Sequence, residues 1–241
     1  MRSVNSLIVL MLAVTAFSAF ASAQTKKNQR AAEPQKAVES TPNTEPAGNG
    51  TTYRYEFSQP DFVISRVVIS HNDGGKGTIT FFKRSYDEPL EDPISLSEAT
   101  LERIRAVLRD MDFLNSSEDY QYEKDYSHLG TSSVTVEQGE RKRTAKYNWT
   151  TNKLARQLVE EYRRVSNLYI WKFDINLSRE NQPLESPKLM ERLEQMVGRD
   201  QVADTDGLIP FLNELSNDER LPLMARNRAV RIVKQLEKKK K

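Results

Sequence analysis

Apolar and polar residues alternate in five short stretches that are rich in β-branched and aromatic side chains, a pattern typical of strands. The stretches are residues 53–57, 62–70, 78–83, 133–137 and 143–149. A glycine-rich turn separates the second from the third, and residues 138–140 separate the last two. The pattern predicts two β-hairpins and one further strand in an antiparallel sheet of four to five strands.

Elsewhere apolar residues recur every three or four positions, which predicts helices at 96–112 and 151–174 and helical structure over 186–237. A loop carrying Pro89 and Pro93 joins the first hairpin to the first helix. Residues 168–175 also suit a strand because they are aromatic and β-branched, and sequence alone leaves the choice between helix and strand open.

These elements predict an α+β fold in which two helices cover one face of the sheet. The expected organisation is an α+β domain at residues 51–178 followed by a helical segment at 184–238, packed at its end as a C-terminal appendage.

The first 23 residues have the pattern of a signal peptide: Arg2, an apolar run at 7–20 and small residues at 21–23. Fourteen apolar residues are too few to span a bilayer, which takes about 20. We therefore expect cleavage after Ala23 and a secreted or periplasmic protein, with an uncleaved anchor as the alternative. Residues 24–50 are polar and proline-bearing, which predicts a disordered linker.

The chain has no cysteine, which excludes disulfides, thiol catalysis and cysteine-ligated metals, and also a lipid attached to cysteine at the cleavage site. The formal charge of +2 includes Arg2, an excess of one in residues 24–50 and four terminal lysines. Removing these leaves the body of the chain, residues 51–237, at −4. We therefore expect no nucleic-acid partner. We also expect no cofactor, and no stable membrane anchor after cleavage, since there is neither a cysteine for a lipid nor a second long apolar run.

Motifs that would fix a reaction are missing from the sequence. The two histidines have unremarkable settings, His71 as a turn residue and His128 in a loop. Residues 74–78 lack the Walker pattern, and residues 204–207 lack the anchors of a calcium-binding loop, so no metal site is predicted and Asp204 or Asp206 is expected to cap a helix.

A tyrosine-rich loop is the weak candidate for a binding surface, with Tyr120, Tyr122 and Tyr126 as its residues. Alternatively, Tyr120 and Tyr122 alternate like a strand packed into the core. No catalytic residue is assigned. We expect an exported, non-enzymatic module that binds a protein or a cell-envelope component. The alternatives are a hydrolase that uses carboxylates of residues 118–125, or an inhibitor of an exported enzyme.

Overall fold

The computed structural model describes residues 50–239 of the chain. The predicted signal peptide, its cleavage point after Ala23 and the predicted linker up to residue 49 lie outside the described residues. Residues 50–239 form six β-strands and five α-helices, which confirms the α+β class. The sheet has one strand more than the highest number predicted.

All neighbouring strands are antiparallel, in the order β4-β3-β2-β1-β5-β6. Their bounds are β1 Thr51–Ser58, β2 Ile64–Asn72, β3 Lys76–Lys83, β4 Leu90–Ser95, β5 Thr131–Gln138 and β6 Arg141–Tyr147. Strand β1 lies between the two hairpins, where Tyr55 pairs with Ile69 on one side and Val134 on the other. These three side chains are buried, so the register forms a continuous apolar row.

The additional strand is β4, where Pro93, together with Pro89 just before the strand, favoured a loop in the sequence. Pro93 pairs with Thr78 at the edge of the sheet, where a residue without an N–H costs no hydrogen bond on the outer side. The Tyr169 hydroxyl donates to the Ser95 carbonyl and accepts from the Ser95 N–H at 3.1 and 3.0 Å, fixing the end of this strand.

The helices are α1 Glu98–Asp110, α2 Lys153–Asn181, α3 Ser186–Gly198, α4 Thr205–Asn217 and α5 Leu223–Lys239. Residues 168–175 belong to α2, which continues past the predicted end. Leu168, Trp171 and Ile175 follow a helical spacing and are buried against α3–α5, so their apolar character serves helix packing.

Two apolar cores share α2. The first lies between one face of the sheet and α1 with the amino-terminal part of α2, as expected. The second lies among the later part of α2 and α3–α5. Because Leu168 and Trp171 belong to the second core, the predicted division into 51–178 and 184–238 cuts between partners of one core, and it stays a prediction.

A buried carboxylate joins α1, α2 and the loop before α4. Glu161 is 2% exposed and accepts from Arg103 Nε at 3.0 Å and Arg164 Nη1 at 2.7 Å. Arg164 also contacts Asp200 through an ion pair of 2.9 Å. The two arginines compensate the buried charge of Glu161 and tie three segments together.

The helices leave the opposite face of the sheet uncovered. In β1 the buried residues Tyr53 and Tyr55 alternate with the exposed residues Thr52 and Arg54, the pattern of a sheet with one wet face. Among residues 50–239, no helix combines the length and the apolar character needed to cross a membrane.

Candidate ligand-binding cavity

A cavity of about 580 Å³ opens between the covered face of the sheet and α2. Its apolar wall includes Phe57, Phe62, Ile64, Leu129, Trp149 and Ile170. The small side chains of Ser132 on β5 and Ser166 on α2 line the same space and leave it unfilled. The volume is in the range of small-molecule sites.

Large apolar side chains stay partly exposed around this cavity. Phe62 is 44% exposed, Trp149 45% and Leu129 39%. Clustered apolar surface of this kind is typical of sites that bind another molecule, because water contacts with it are unfavourable.

Tyr55 is the least exposed polar residue of the lining. This residue is 1% exposed, stacks on Tyr162 with 4.9 Å between ring centroids, and its hydroxyl has no hydrogen-bond partner among the described residues. Burial raises the pKa of Tyr55, while Ser132 and Arg163 act in the opposite direction. The group therefore stays protonated at neutral pH and is available as a donor.

The charged part of the lining is mostly cationic: among the described residues it contains Arg156, Arg163 and Arg192 and a single carboxylate, Glu160. Within the described chain, no carboxylate oxygen lies within 4.0 Å of the side-chain nitrogens of Arg156 or Arg163, and the Arg192 guanidinium is 3.8 Å from Asp174. The lining thus carries an excess of positive charge next to an apolar wall.

The three predicted residues of the tyrosine-rich loop have different positions in the structure. Tyr120 is 3% exposed and packs edge-on against Tyr147 in the core. Tyr122 and Tyr126 stack with 6.4 Å between centroids, and Tyr126 packs on Trp149 at 5.7 Å. Two of the three tyrosines therefore lie beside a residue that lines the cavity.

Strand β6 and the residue after it hold this loop. Arg143 donates to the carbonyls of Phe113 at 2.6 Å and Glu118 at 2.7 Å, and its guanidinium lies over the Tyr120 ring. The side-chain oxygen of Asn148 accepts from the Tyr126 N–H at 3.2 Å. The loop is therefore anchored although it has no regular secondary structure over 116–126.

Three carboxylates of this loop accept hydrogen bonds from nearby amides. Glu118 accepts from Asn152 Nδ2 at 2.9 Å, Asp119 accepts from the Gln121 N–H at 3.0 Å, and Asp125 accepts from Asn148. Across residues 50–239, no group of three or more metal-binding side chains is placed to hold an ion.

The two histidines have different surroundings. His71 lies inside β2, 4% exposed, stacked on Tyr53 with 4.8 Å between centroids and 3.1 Å from the Tyr162 hydroxyl. The prediction of a turn residue is therefore wrong, because the turn begins after β2 and the imidazole serves the core. Burial lowers the pKa of His71. His128 lies in a short 3-10 turn at Ser127–Leu129, in the loop as expected.

Asp204 immediately precedes α4 but makes no side-chain cap to that helix, so a capping role is wrong for Asp204, while Asp206 lies in the first turn of α4. Its carboxylate instead accepts from the Thr100 hydroxyl at 2.6 Å and from the Ser97 N–H at 3.2 Å and hydroxyl, at the start of α1. Asp204 thus links the helical segment to α1.

Tyr55, Arg156 and Arg163 were not among the predicted site residues. Tyr55 fits the alternation of β1 and gives no sequence signal beyond a core position. The arginines leave a weak signal: Arg156, Glu160, Arg163 and Asn167 recur at steps of three or four, a polar stripe beside the apolar stripe of α2.

Comparison with known proteins identifies no family, since no family model and no curated protein sequence matches this chain.

Proposed function

We propose that this protein is an exported, non-enzymatic module that binds an apolar component of the cell envelope in the cavity between the sheet and α2. The observation that carries the proposal is the cavity itself, about 580 Å³ in volume, with Phe62, Leu129 and Trp149 partly exposed around it. A concave, largely apolar space with a few polar groups is the usual form of a small-molecule site.

The lining favours binding over hydrolysis. Glycoside hydrolysis uses two carboxyl groups, one on each side of the bond that breaks. Among the described residues, Glu160 is the one carboxylate in the lining of this cavity, and Arg156 and Arg163 lie on the same helix. Glu118, Asp119 and Asp125 of the tyrosine-rich loop accept hydrogen bonds from amides, and Glu123 is exposed, so the loop gives the hydrolase alternative no support.

Export rests on the amino-terminal sequence. Expression in a bacterial host with its own leader tests it: amino-terminal sequencing of the protein recovered outside the cytoplasm is expected to begin at Gln24. Recovery only in the cytoplasm, with Met1 retained, would contradict export and leave the binding proposal to be judged separately.

Binding is tested with N-phenyl-1-naphthylamine, a neutral dye whose emission rises in apolar surroundings. We expect saturable binding to the purified protein. Phe62→Asp places a charge in the lining and is expected to weaken binding at least fivefold. Val63→Asp is the matched control, because Val63 is adjacent, 68% exposed and outside the lining.

The fluorescence of Trp149 gives a second readout. Trp149 lines the cavity, whereas Trp171 is fully buried in the other core and donates to the Leu189 carbonyl at 2.9 Å. A bound apolar ligand is expected to shift the emission of the protein to shorter wavelength, and Trp149→Phe to abolish that shift. Absence of both dye binding and an emission shift would refute the proposed function.

A further inference from the structure

We infer that the ligand of this cavity is an anionic amphiphile, whose oxyanion head group binds Arg163 and Tyr55 while its apolar body lies against Phe57, Phe62 and Trp149. The inference rests on the proposed function, because it names the chemistry of the molecule that the cavity takes.

Arg163 and Arg164 are neighbours on α2 with different partners. Arg164 is paired with Glu161 and Asp200 on the side facing α1 and the helical segment. Arg163 lines the cavity and has no carboxylate within 4.0 Å in the described chain. A guanidinium beside an apolar wall is suited to a carboxylate or phosphate oxygen, which it can bind through two parallel N–H groups.

The hydroxyl of Tyr55 is the second, independent observation. A buried hydroxyl without a partner destabilises the protein, and such groups are rare in folded chains. Tyr55 lines the cavity, and Ser132 and Arg163 lie near enough to its hydroxyl to lower its pKa, although neither reaches hydrogen-bond geometry with it. An oxyanion placed against Arg163 would accept the hydrogen bond that the Tyr55 hydroxyl lacks.

The distribution of charge favours binding of an anion in the cavity over binding of anions elsewhere on the surface. The lining has three arginines and one glutamate, whereas residues 51–237 together carry a formal charge of −4. Because residues 51–237 carry a net negative charge, their surface in general attracts anions only weakly. A measured preference for anionic ligands would indicate binding in the cavity.

The test compares four ligands with the same twelve-carbon chain, each below its micelle concentration at pH 8: dodecanoate, dodecyl phosphate, 1-dodecanol and dodecyltrimethylammonium. Dissociation constants come from displacement of the neutral dye. At least one of the two anions is expected to bind ten times more tightly than 1-dodecanol. The ranking of the two anions distinguishes a carboxylate head from a phosphate head, and the cation is expected to bind more weakly than the alcohol.

Variants locate the charge effect. Arg163→Gln is expected to lower the affinity for the preferred anion at least ten-fold and to leave the affinity for 1-dodecanol unchanged. Arg163→Lys is expected to retain part of the preference for the anion. Tyr55→Phe is nearly isosteric and is expected to weaken anion binding about three- to ten-fold. Arg109→Gln is the control, since Arg109 is an exposed cation on α1 outside the lining.

The outcomes separate this inference from the proposed function. Equal affinity for dodecanoate, dodecyl phosphate and 1-dodecanol would overturn the inference and leave an apolar binding site. An anion preference that persists in Arg163→Gln and Tyr55→Phe would overturn the head-group assignment. Failure of all four ligands and of the dye would remove the proposed function as well.

Discussion

Glu161→Gln is expected to lower the free energy of unfolding by about 2 to 3 kcal/mol. The carboxylate is 2% exposed and compensates Arg103 and Arg164, whose side chains are 42% and 25% exposed. Removing one partner of a fully buried ion pair costs about 3 to 5 kcal/mol. Here the two arginines can be partly rehydrated, so the expected loss lies below that range.

The loss is measurable by urea denaturation of the purified protein, followed by circular dichroism at 222 nm. At about 2 to 4 °C per kcal/mol for a domain of this size, the melting temperature should fall by roughly 4 to 12 °C. Glu160→Gln is the matched control, because Glu160 is exposed and has no ion pair within the described chain; it should change stability by less than about 0.5 kcal/mol. A loss below about 1 kcal/mol for Glu161→Gln, or equal losses for both variants, would refute the conclusion that the ion pairs of Glu161 stabilise the contact between α1, α2 and the loop before α4.

Three further predictions concern the core, the glycines and the tyrosine-rich loop. Because the folded-state pKa of His71 is lowered, the unfolded chain takes up the proton first, so stability should be full above about pH 6.5 and fall as the pH drops below it. Urea midpoints at pH 8 and pH 5.5 should therefore differ more in the wild type than in His71→Phe, and equal differences would contradict the burial argument. Gly207→Ala in α4 should stabilise by about 0.5 to 1 kcal/mol, since an added Cβ meets no atom within 4 Å. Gly77→Ala should destabilise by about 3 kcal/mol or more, since its Cβ would lie 1.8 Å from the Ser70 carbonyl oxygen, and melting curves showing the same sign for both glycine variants would contradict this reasoning. Arg143→Lys should cost about 1 to 2 kcal/mol through its lost carbonyl contacts and speed hydrogen exchange in residues 113–122, whereas unchanged exchange there would mean that other contacts hold the loop.

Local pattern was sufficient for most elements of the fold. The glycine-rich turn between β2 and β3 and the turn at residues 138–140 place both hairpins, because a half-buried strand and a tight turn each impose residue types on adjacent positions. Strand β4 was missed because Pro93 argues against a strand unless the strand lies at an edge, and edge position is decided by the whole sheet.

The cavity depends on relations that no short window of sequence contains. It forms where Ser132 of β5 and Ser166 of α2 line the same space, and these residues are far apart along the chain. Likewise, His71 and Asp204 have the residue types of turns and caps, but their partners Tyr162 and Thr100 come from distant segments. The tyrosine-rich loop did indicate the region of the cavity, because Tyr126 packs on Trp149, which lines it.

A crystal structure of the protein grown with the tighter-binding of dodecanoate and dodecyl phosphate tests the central claim most directly. The account predicts electron density for the alkyl chain between the sheet and α2, with an oxygen of the head group within about 3.2 Å of both the Arg163 guanidinium and the Tyr55 hydroxyl. Density for the ligand only at another surface, or a head group turned away from Arg163, would contradict it.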